Sequence, residues 1–357
     1  MNRTVPLAPL AGMFHELVIV APDGRLDCGW RGRGRGPTLS TVTAEAAPAQ
    51  PAGIPPAEVD IDVDLVRELL RRQHPDLGGL PLRLVATGWD NMTFRLGDEL
   101  AVRLPRITGG AALVVNEQTW LPVLAPTLPI AIPVPVRVGR PDAGYPWSWS
   151  VVPWLPGLSG EHGAPAPQQA GRFGAFLAAV HRPAPADAPH NDYRGVPLAA
   201  LAGTVEPRLL RLAGTAACAD LPHQRIWDLW HQGAEAPMDT TDTWIHGDLH
   251  PKNIVVDQGV VTAVLDWGDM TVGDRATDLA AAWMLFPTSA HPDLWAGYGE
   301  ISVATMTRAV GWAVTFGAML LETGLANDPP FAAIGRQTLL RVLGGTLPGW
   351  PTGPDRR

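Results

Sequence analysis

The spacing of apolar residues changes along the chain from strand-like to helix-like. After the acidic residues Asp60 and Asp62, helical spacing predicts a helix that ends near residue 74. Alternation of apolar and polar residues then predicts antiparallel strands, with one helix among them. The strands are predicted at 82–87, 92–96, 100–104, 134–138 and 147–152, and the helix at 111–124. Residues 59–152 are therefore predicted to contain a small sheet.

Beyond residue 157 the apolar residues are spaced as in amphipathic helices. Helices are predicted at 168–181, 198–212, 223–232, 279–285, 292–298, 303–323 and 331–343. The apolar runs 254–256 and 261–265 interrupt this pattern and predict two short strands joined by a tight turn. Residues 153–157, Pro-Trp-Leu-Pro-Gly, have the composition of a turn between the two halves. The second half is therefore predicted to be mainly helical.

Residues 1–58 differ from the rest of the chain in composition. Residues 31–36 repeat Arg-Gly, and residues 44–56 are rich in alanine and proline, as flexible linkers are. Residues 1–58 are therefore predicted to be a largely disordered extension. Arg-Gly repeats also occur in segments that bind nucleic acid, but they adjoin an acidic body here, so nucleic acid is not an expected partner.

The stretch from residue 244 to 269 contains three groups that phosphoryl transfer requires. Asp248 lies in His-Gly-Asp, Asn253 follows five residues later, and Asp266 begins Asp-Trp-Gly. One carboxylate must face the hydroxyl nucleophile, while an amide oxygen and a second carboxylate hold magnesium. The predicted strand pair between Asn253 and Asp266 reverses the direction of the chain. Asp266 is therefore expected to lie beside Asp248 and Asn253.

This pattern resembles the catalytic core of the aminoglycoside phosphotransferase family, small-molecule kinases with a protein-kinase-like fold. The resemblance rests on His-Gly-Asp at 246–248, Asn253, Asp266 and Asp278, and extends over roughly residues 60–345. It implies a two-lobed α+β fold. The antiparallel-sheet N-lobe would span residues 59–152, the hinge 153–157 and the mainly helical C-lobe 158–357. The short interval from Asp266 to Asp278 leaves no room for the substrate-docking segment of a protein kinase, which favours a small acceptor.

The resemblance implies roles for the base, the metal-binding residues and the residues that hold the phosphates. Asp248 is expected to be the catalytic base, and Asn253 and Asp266 are expected to hold Mg²⁺. Arg103 occupies the place where the family usually carries a lysine that clamps the nucleotide phosphates, and Glu117 is its expected ion-pair partner. Arginine ends in a planar guanidinium fork, whereas lysine ends in a compact point charge. This departure from the family pattern is therefore expected to change how the phosphates are held.

Further contacts with the nucleotide are expected in the N-lobe and the hinge. The turn between the first two predicted strands lies where a kinase places its phosphate-covering loop, and it offers Gly88 and Asn91. In the hinge, Pro153 has no N–H, so Val152 and Trp154 are the expected sites of main-chain contact with the base.

Lys252 is the only lysine among the 27 basic residues of the chain. Its position between Asp248 and Asn253 predicts a contact with phosphate or with the leaving group. An exposed lysine without a catalytic role is an equally good interpretation of the same position.

Composition narrows the possible partners and compartments. With 46% hydrophobic and 17% charged residues, the chain is predicted to be an ordinary globular protein. The net charge of −8 argues against nucleic acid and anionic membranes as partners. No run of about 18 apolar residues predicts a membrane span. Cys28 and Cys218 match no metal or redox spacing, so a cytoplasmic setting is expected.

The expected reaction is transfer of the γ-phosphoryl group of ATP, or alternatively GTP, with Mg²⁺, to a hydroxyl of a small cationic acceptor. The preferred acceptor is an aminoglycoside or related antibiotic, which would make the protein a resistance factor. Alternatives are a macrolide, a choline-like amine or an amino-alcohol metabolite, and a non-catalytic pseudokinase. Candidate acceptor contacts are Asp269, Asp293, Glu300, Glu322, Trp283, Trp295 and Tyr298.

Overall fold

The computed structural model describes residues 55–344. The predicted disordered extension, apart from its last four residues, lies outside the described residues, as do residues 345–357. Within the described part, the N–H of Glu58 donates to the carbonyl of Arg106 at 2.8 Å. The chain is therefore in contact with the folded body from residue 58 onwards.

The first half of the described chain builds a five-stranded antiparallel sheet with the order β1-β2-β3-β5-β4. The strands are β1 Leu82–Thr87, β2 Asn91–Leu96, β3 Leu100–Pro105, β4 Arg137–Gly139 and β5 Trp149–Pro153. Helix α1 (Val63–Gln73) precedes the sheet, and Asp62 caps this helix by accepting the N–H of Leu65 at 2.8 Å. The buried face of α1 packs against the sheet around Trp149.

Helix α2 (Thr108–Leu124) connects β3 to β4 and carries the buried Glu117. Strand β4 begins later than the sequence predicts. Pro133 and Pro135 have no N–H to give to a ladder, so regular pairing cannot include the whole predicted strand. Within that stretch, the N–H of Val136 still reaches the carbonyl of Val151 at 2.8 Å.

The second half is mainly helical and is built around one long helix, α9. The helices are α3 Ala170–Val180, α4 Ala202–Ala213, α5 His223–Glu235, α6 Ala276–Leu279, α7 Ala281–Leu285, α8 His291–Tyr298, α9 Val303–Asn327 and α10 Pro329–Gly344. The stretch Val303–Ala326 is long and apolar enough to cross a membrane, but 78% of its most apolar window is buried. Helices α4, α5, α6 and α10 pack around α9, which is therefore a core helix.

Two small antiparallel sheets frame the stretch from residue 244 to 269 in the helical half. Strands β6 (Leu158–Ser159), β8 (Ile254–Asp257) and β9 (Val260–Val264) form one sheet. Strand β7 (Thr243–Ile245) pairs with β10 (Thr271–Gly273) in the other. The β8–β9 hairpin was predicted, whereas β6, β7 and β10 are too short to produce a periodic signal. Together the two sheets bring residues 246–253 and residues 265–269 to one place.

Helices α3 and α8 cross so closely that glycine is required at the contact. A Cβ added at Gly174 would lie 2.1 Å from the carbonyl oxygen of Leu294. We expect Gly174→Ala to reduce the free energy of unfolding by about 2 kcal/mol or more, measured by urea denaturation. Gly203→Ala in α4 is the matched control, because its Cβ would meet nothing within 4 Å. This control should raise stability by about 0.5–1 kcal/mol; equal effects of the two changes would contradict the tight helix crossing.

Candidate active site

The loop of residues 246–253, between β7 and β8, is held in place by Asp278. The enclosed carboxylate of Asp278 accepts the N–H groups of His246 at 2.7 Å and Gly247 at 2.8 Å. Nε2 of His181 lies 3.2 Å from the same carboxylate. Burial alone would raise the pKa of Asp278, but the His181 contact and the loop outweigh it, so its pKa is lowered. Asp278 lies within α6, and from this helix its side chain braces the loop.

Three groups orient the carboxylate of Asp248, which is fully buried. Nη2 of Arg194 lies 3.2 Å from its Oδ1, and Nε2 of His250 lies 3.3 Å from its Oδ2. The side-chain amide of Asn253 donates to the Asp248 carbonyl at 2.9 Å and contacts Oδ2 at 3.3 Å. The predicted base is therefore fixed in orientation, and Asn253 is linked to it directly.

Arg194 was missed by the sequence analysis. It lies between α3 and α4, far along the chain from the motif, and its side chain is 2% exposed. Besides Asp248 it contacts the carboxylate of Asp269 at 3.2 Å, and Asn191 donates to the other oxygen of Asp269 at 2.8 Å. Asp269 was predicted as a possible acceptor contact, but its charge is balanced by Arg194 within the protein.

Asn253 and Asp266 present oxygen atoms suited to a hard cation. Oδ1 of Asn253 is buried, and no group in residues 55–344 donates to it. The N–H of Leu265 donates to the carbonyl of Asn253 at 2.8 Å, which brings Asp266 next to Asn253. Asp266 has a φ of +57°, a strained conformation for a residue with a side chain, of the kind that occurs at functional sites. This set fits Mg²⁺, which usually takes one or two protein carboxylates and completes its shell with water and phosphate.

The predicted ion pair between Arg103 and Glu117 is present and buried. Nη1 of Arg103 donates to the two carboxylate oxygens of Glu117 at 2.8 and 2.9 Å. Nη2 lies 3.5 Å from Oδ1 of Asp266. Burial alone would lower the pKa of Arg103, but these two carboxylates outweigh it and raise the pKa. The fork of Arg103 is thus largely occupied by protein groups, which join α2 to the Asp-Trp-Gly segment.

A cleft between the sheet and the helical half contains both Arg103 and Asp266. It is lined by Thr93, Ala101, Arg103, Pro133, Val152, Pro153, Trp154, Leu155, Leu265 and Asp266. Its enclosed space is about 30 Å³, whereas pockets for small ligands measure several hundred cubic ångströms. The cleft is therefore narrower than the pockets that hold small ligands.

The main-chain groups of the predicted hinge are partly engaged. The N–H of Trp154 donates to the carbonyl of Glu99 at 2.7 Å. Val152 lies opposite Ala101 on β3. Hydrogen-bonded residues alternate along an antiparallel pair, and Trp154 is bonded across this pair two residues later. The N–H and the carbonyl of Val152 therefore both face β3. No main-chain hydrogen bond within the described chain uses the Trp154 carbonyl or the Leu155 N–H. These two groups are therefore left for other partners, whereas the N–H groups of Val152 and Trp154 are used within the sheet.

The turn with Gly88 and Asn91 joins β1 to β2, and its contact with the nucleotide stays a prediction. The N–H of Gly88 donates to the carbonyl of Asn91 at 2.8 Å and closes the turn between β1 and β2. Two residues after Asn91, Thr93 lines the cleft directly opposite Arg103 in the β2–β3 pair. The turn is therefore attached to the strand that passes through the cleft.

Lys252 does not point towards the groups of the cleft. Its Nζ lies 2.7 Å from Asp328, 3.7 Å from Glu161 and 3.6 Å from the ring centre of Phe331. The side chain is 3% exposed, so it is not an exposed lysine either. The exposed-lysine interpretation is wrong, because Lys252 ties the loop of residues 246–253 to the beginning of α10; the predicted contact with phosphate or the leaving group stays a prediction.

Most of the other candidate acceptor contacts are committed to the protein core. Glu322 pairs with Arg208 and Arg211, and Tyr298 OH lies 2.9 Å from Nδ1 of His181. Trp283 is buried and packs against Trp295. Asp293 and Glu300 remain exposed on the surface. The predicted acceptor surface is therefore not assembled from these residues.

Comparisons with known proteins extend these observations. Residues 81–312 match the model of the phosphotransferase enzyme family. The structure is similar to the GDP and kanamycin complex of APH(2")-IIia, with a TM-score of 0.54 and 17% identity over 78% of this chain and 98% of the other. It is also similar to the streptomycin-ATP-APH(2")-IIa ternary complex, with a TM-score of 0.50 and 16% identity over 73% and 91% of the two chains.

One curated protein, the uncharacterized protein YcbJ of Bacillus subtilis (strain 168), is 38% identical over 64 residues. That match spans 17% of this chain and only 21% of the length of the Bacillus protein. The similar structures share too little sequence to show more than the fold. They confirm the predicted two-lobed, protein-kinase-like α+β architecture.

Proposed function

Because this chain belongs to the phosphotransferase enzyme family and is a small-molecule kinase, we propose that it transfers the γ-phosphoryl group of a nucleotide to an antibiotic hydroxyl. Asp248 would be the catalytic base. The observation that carries this proposal is the buried cluster in which Asp248 and Asn253 are linked and Asp266 lies next to Asn253. The same cluster argues against a pseudokinase, because the base and both metal-binding oxygens are retained.

Asp248 would accept the proton of the acceptor hydroxyl as that oxygen attacks phosphorus. Arg194, His250 and Asn253 hold its carboxylate in one orientation, which is the preorganisation that proton transfer requires. Oδ1 of Asn253 and the carboxylate of Asp266 would hold Mg²⁺. The bound ion would neutralise charge on the phosphates. Arg103, fixed by Glu117, would place its remaining Nε donor near the same phosphates.

The nucleotide is proposed to be ATP, with GTP as the alternative. The complexes named above contain ATP in one relative and GDP in another, so relatives of this fold use both bases. The base would lie in the cleft beneath β3 and meet the Trp154 carbonyl and the Leu155 N–H. We also propose a cytoplasmic location, where such nucleotides are available and where the buried Cys218 stays a thiol.

An aminoglycoside is the first candidate acceptor, because relatives of this fold are described with kanamycin and streptomycin. One observation favours a second candidate. Arg194 places a cation within 3.2 Å of both Asp248 and Asp269, which reduces the negative potential that would attract an ammonium group. A macrolide, which carries fewer positive charges than a polyamine, fits this surrounding better than an aminoglycoside does, whereas a choline-like amine or another amino alcohol gains nothing from it.

The test is nucleotide consumption by the purified protein with Mg²⁺ against aminoglycosides, macrolides and amino alcohols, with mass spectrometry of the products. We expect one class to give a phosphorylated product and the others to leave consumption at background. Phosphorylated macrolide without phosphorylated aminoglycoside would support the second candidate. Nucleotide binding without any phosphorylated product across the panel would contradict the proposed reaction with these acceptors and favour the pseudokinase.

A further inference from the structure

Arg106, which follows β3, is completely buried beneath the turn that contains Gly88 and Asn91. Its Nη1 contacts the carbonyl of Gly88 at 3.5 Å and that of Trp89 at 3.4 Å, and both are long for hydrogen bonds. Its Nε and Nη2 have no hydrogen-bond partner in the part of the chain that the structure describes. A buried cation with such weak contacts is costly, because it has lost water without gaining an equivalent partner.

The other two arginines that are equally enclosed have carboxylate partners. Arg194 contacts two carboxylates at 3.2 Å, and Arg308 contacts two at 2.7 Å. No ion pair among residues 55–344 includes Arg106, and no neighbouring charge contributes to the shift of its pKa. Burial accordingly lowers the pKa of Arg106, whereas for Arg308 the two carboxylates outweigh burial and raise the pKa. Arg106 is therefore the enclosed arginine whose charge the described protein does not balance.

The surroundings of Arg106 add further groups that favour an anion. Helix α2 begins directly after it, and its N-cap residue, Ile107, provides no side-chain cap. The first-turn N–H groups and the helix dipole therefore contribute positive potential. The turn rests on this helix end, since a Cβ at Gly110 would lie 2.9 Å from the carbonyl oxygen of Asp90. The hydroxyl of Thr93, in the adjoining cleft, also has no partner among the described residues.

We infer that Arg106 is a phosphate-binding residue for the nucleotide, and that its Nε and Nη2 donate to oxygens of the terminal phosphates. This inference rests on the proposed function, which brings a nucleoside triphosphate to the cleft beside this turn. The fork of Arg103 is largely occupied by Glu117 and Asp266, so Arg103 offers the phosphates few donors, and Arg106 would supply two more beside the proposed Mg²⁺. Phosphate can displace the two long carbonyl contacts at little cost, and the guanidinium plane suits bidentate binding.

The binding step requires the turn of residues 88–91 to lift. A phosphate cannot reach a fully buried guanidinium while the turn covers it. The small space of the cleft, about 30 Å³, likewise requires opening before a nucleotide binds. One movement of the β1–β2 turn would therefore expose Arg106 and widen the site.

The test compares Arg106→Met and Arg106→Lys with the wild type, using calorimetric titration with ATP, ADP and adenosine in the presence of Mg²⁺, and with the guanosine series. We expect Arg106→Met to weaken triphosphate binding about 10- to 100-fold while leaving nucleoside binding unchanged. Arg106→Lys should recover part of the loss. Arg106→Met should also raise the Tm of the nucleotide-free protein, because it removes an unbalanced buried charge. Arg83→Met, an exposed arginine on β1, is the matched control and should change neither quantity.

Each other outcome has a defined meaning. An equal loss of affinity for ATP and adenosine, with a lower Tm, would show that Arg106 only supports the turn, and it would overturn the inference. If the wild type binds nucleotide and Arg106→Met binds the triphosphate with unchanged affinity, the inference would be overturned while the proposed function would stand. A wild type that binds no nucleotide would overturn the proposed function, and the role of Arg106 would fail with it.

Discussion

Replacing Asp248 by asparagine is expected to lower kcat by about 10³-fold while nucleotide affinity stays nearly unchanged. The substitution keeps the shape of the side chain but removes the group that accepts the hydroxyl proton. Because Asp248 contacts Arg194, His250 and Asn253 rather than the cleft lining, the substitution should not change the affinity for the nucleotide. Single-turnover kinetics with the acceptor identified in the panel would measure the effect, and titration with nucleotide would verify binding.

Asp257→Asn is the matched control for this experiment. Asp257 is exposed at the end of β8, four residues after Asn253, so its loss should change neither kcat nor affinity. A decrease of less than about tenfold in Asp248→Asn would remove Asp248 from the role of base. A parallel loss of nucleotide affinity would instead indicate that the substitution disturbs the metal-binding side of the cluster.

Asp278→Asn should have the largest effect on stability, about 3 kcal/mol, and should also abolish most of the activity. The two N–H groups of His246 and Gly247 bond to different oxygens of Asp278, so an amide keeps one acceptor oxygen but places its NH₂ against one of these N–H groups, which repels it. The loop that holds Asp248 would lose its brace. Urea denaturation at neutral pH would measure the stability change, and Asp293→Asn, on the exposed side of α8, is the control.

The pH dependence of this effect follows from the lowered pKa of Asp278. Burial opposes ionisation most strongly, but the contacts from His181 and the loop reverse the net direction. A carboxyl group with a lowered folded-state pKa stabilises the protein above its unfolded pKa of about 4, and this contribution is lost as the pH falls further. The difference in unfolding free energy between wild type and Asp278→Asn should therefore shrink on acidification below about pH 4. A difference that grows on acidification would contradict the ionised state of Asp278.

The motif could be predicted from sequence because its chemistry is local. Asp248, Asn253 and Asp266 lie within one loop and one hairpin, and the hairpin is periodic enough to be recognised. The strands β1 to β3 and the cap at Asp62 were also predictable, since alternation and capping are short-range patterns. The pairing of Arg103 with Glu117 was predicted from the order of elements in the resembled family rather than from local spacing.

Contacts that depend on packing between distant segments were not predictable. Arg194 reaches Asp248 from a loop without periodicity, and only an isolated arginine marks it in the sequence. Main-chain contact with the base was expected at Val152 and Trp154, and the sequence does not show that Glu99, just before β3, accepts the Trp154 N–H. The role of Lys252 was predicted from its neighbours in the sequence, whereas its partners in the structure, Asp328 and Phe331, lie at the beginning of α10.

The short segment from Asp266 to Asp278 has a consequence for how this enzyme is controlled. In many signalling kinases the corresponding segment is an accessible switch that a second enzyme turns on by modification. Here Thr271 and Thr277, the only hydroxyl-bearing residues of the segment, are 0% and 1% exposed, and Thr271 is fixed in the β7–β10 pair. No modifying enzyme can reach them in the folded protein. We therefore expect that modification of this segment does not control the activity of the kinase.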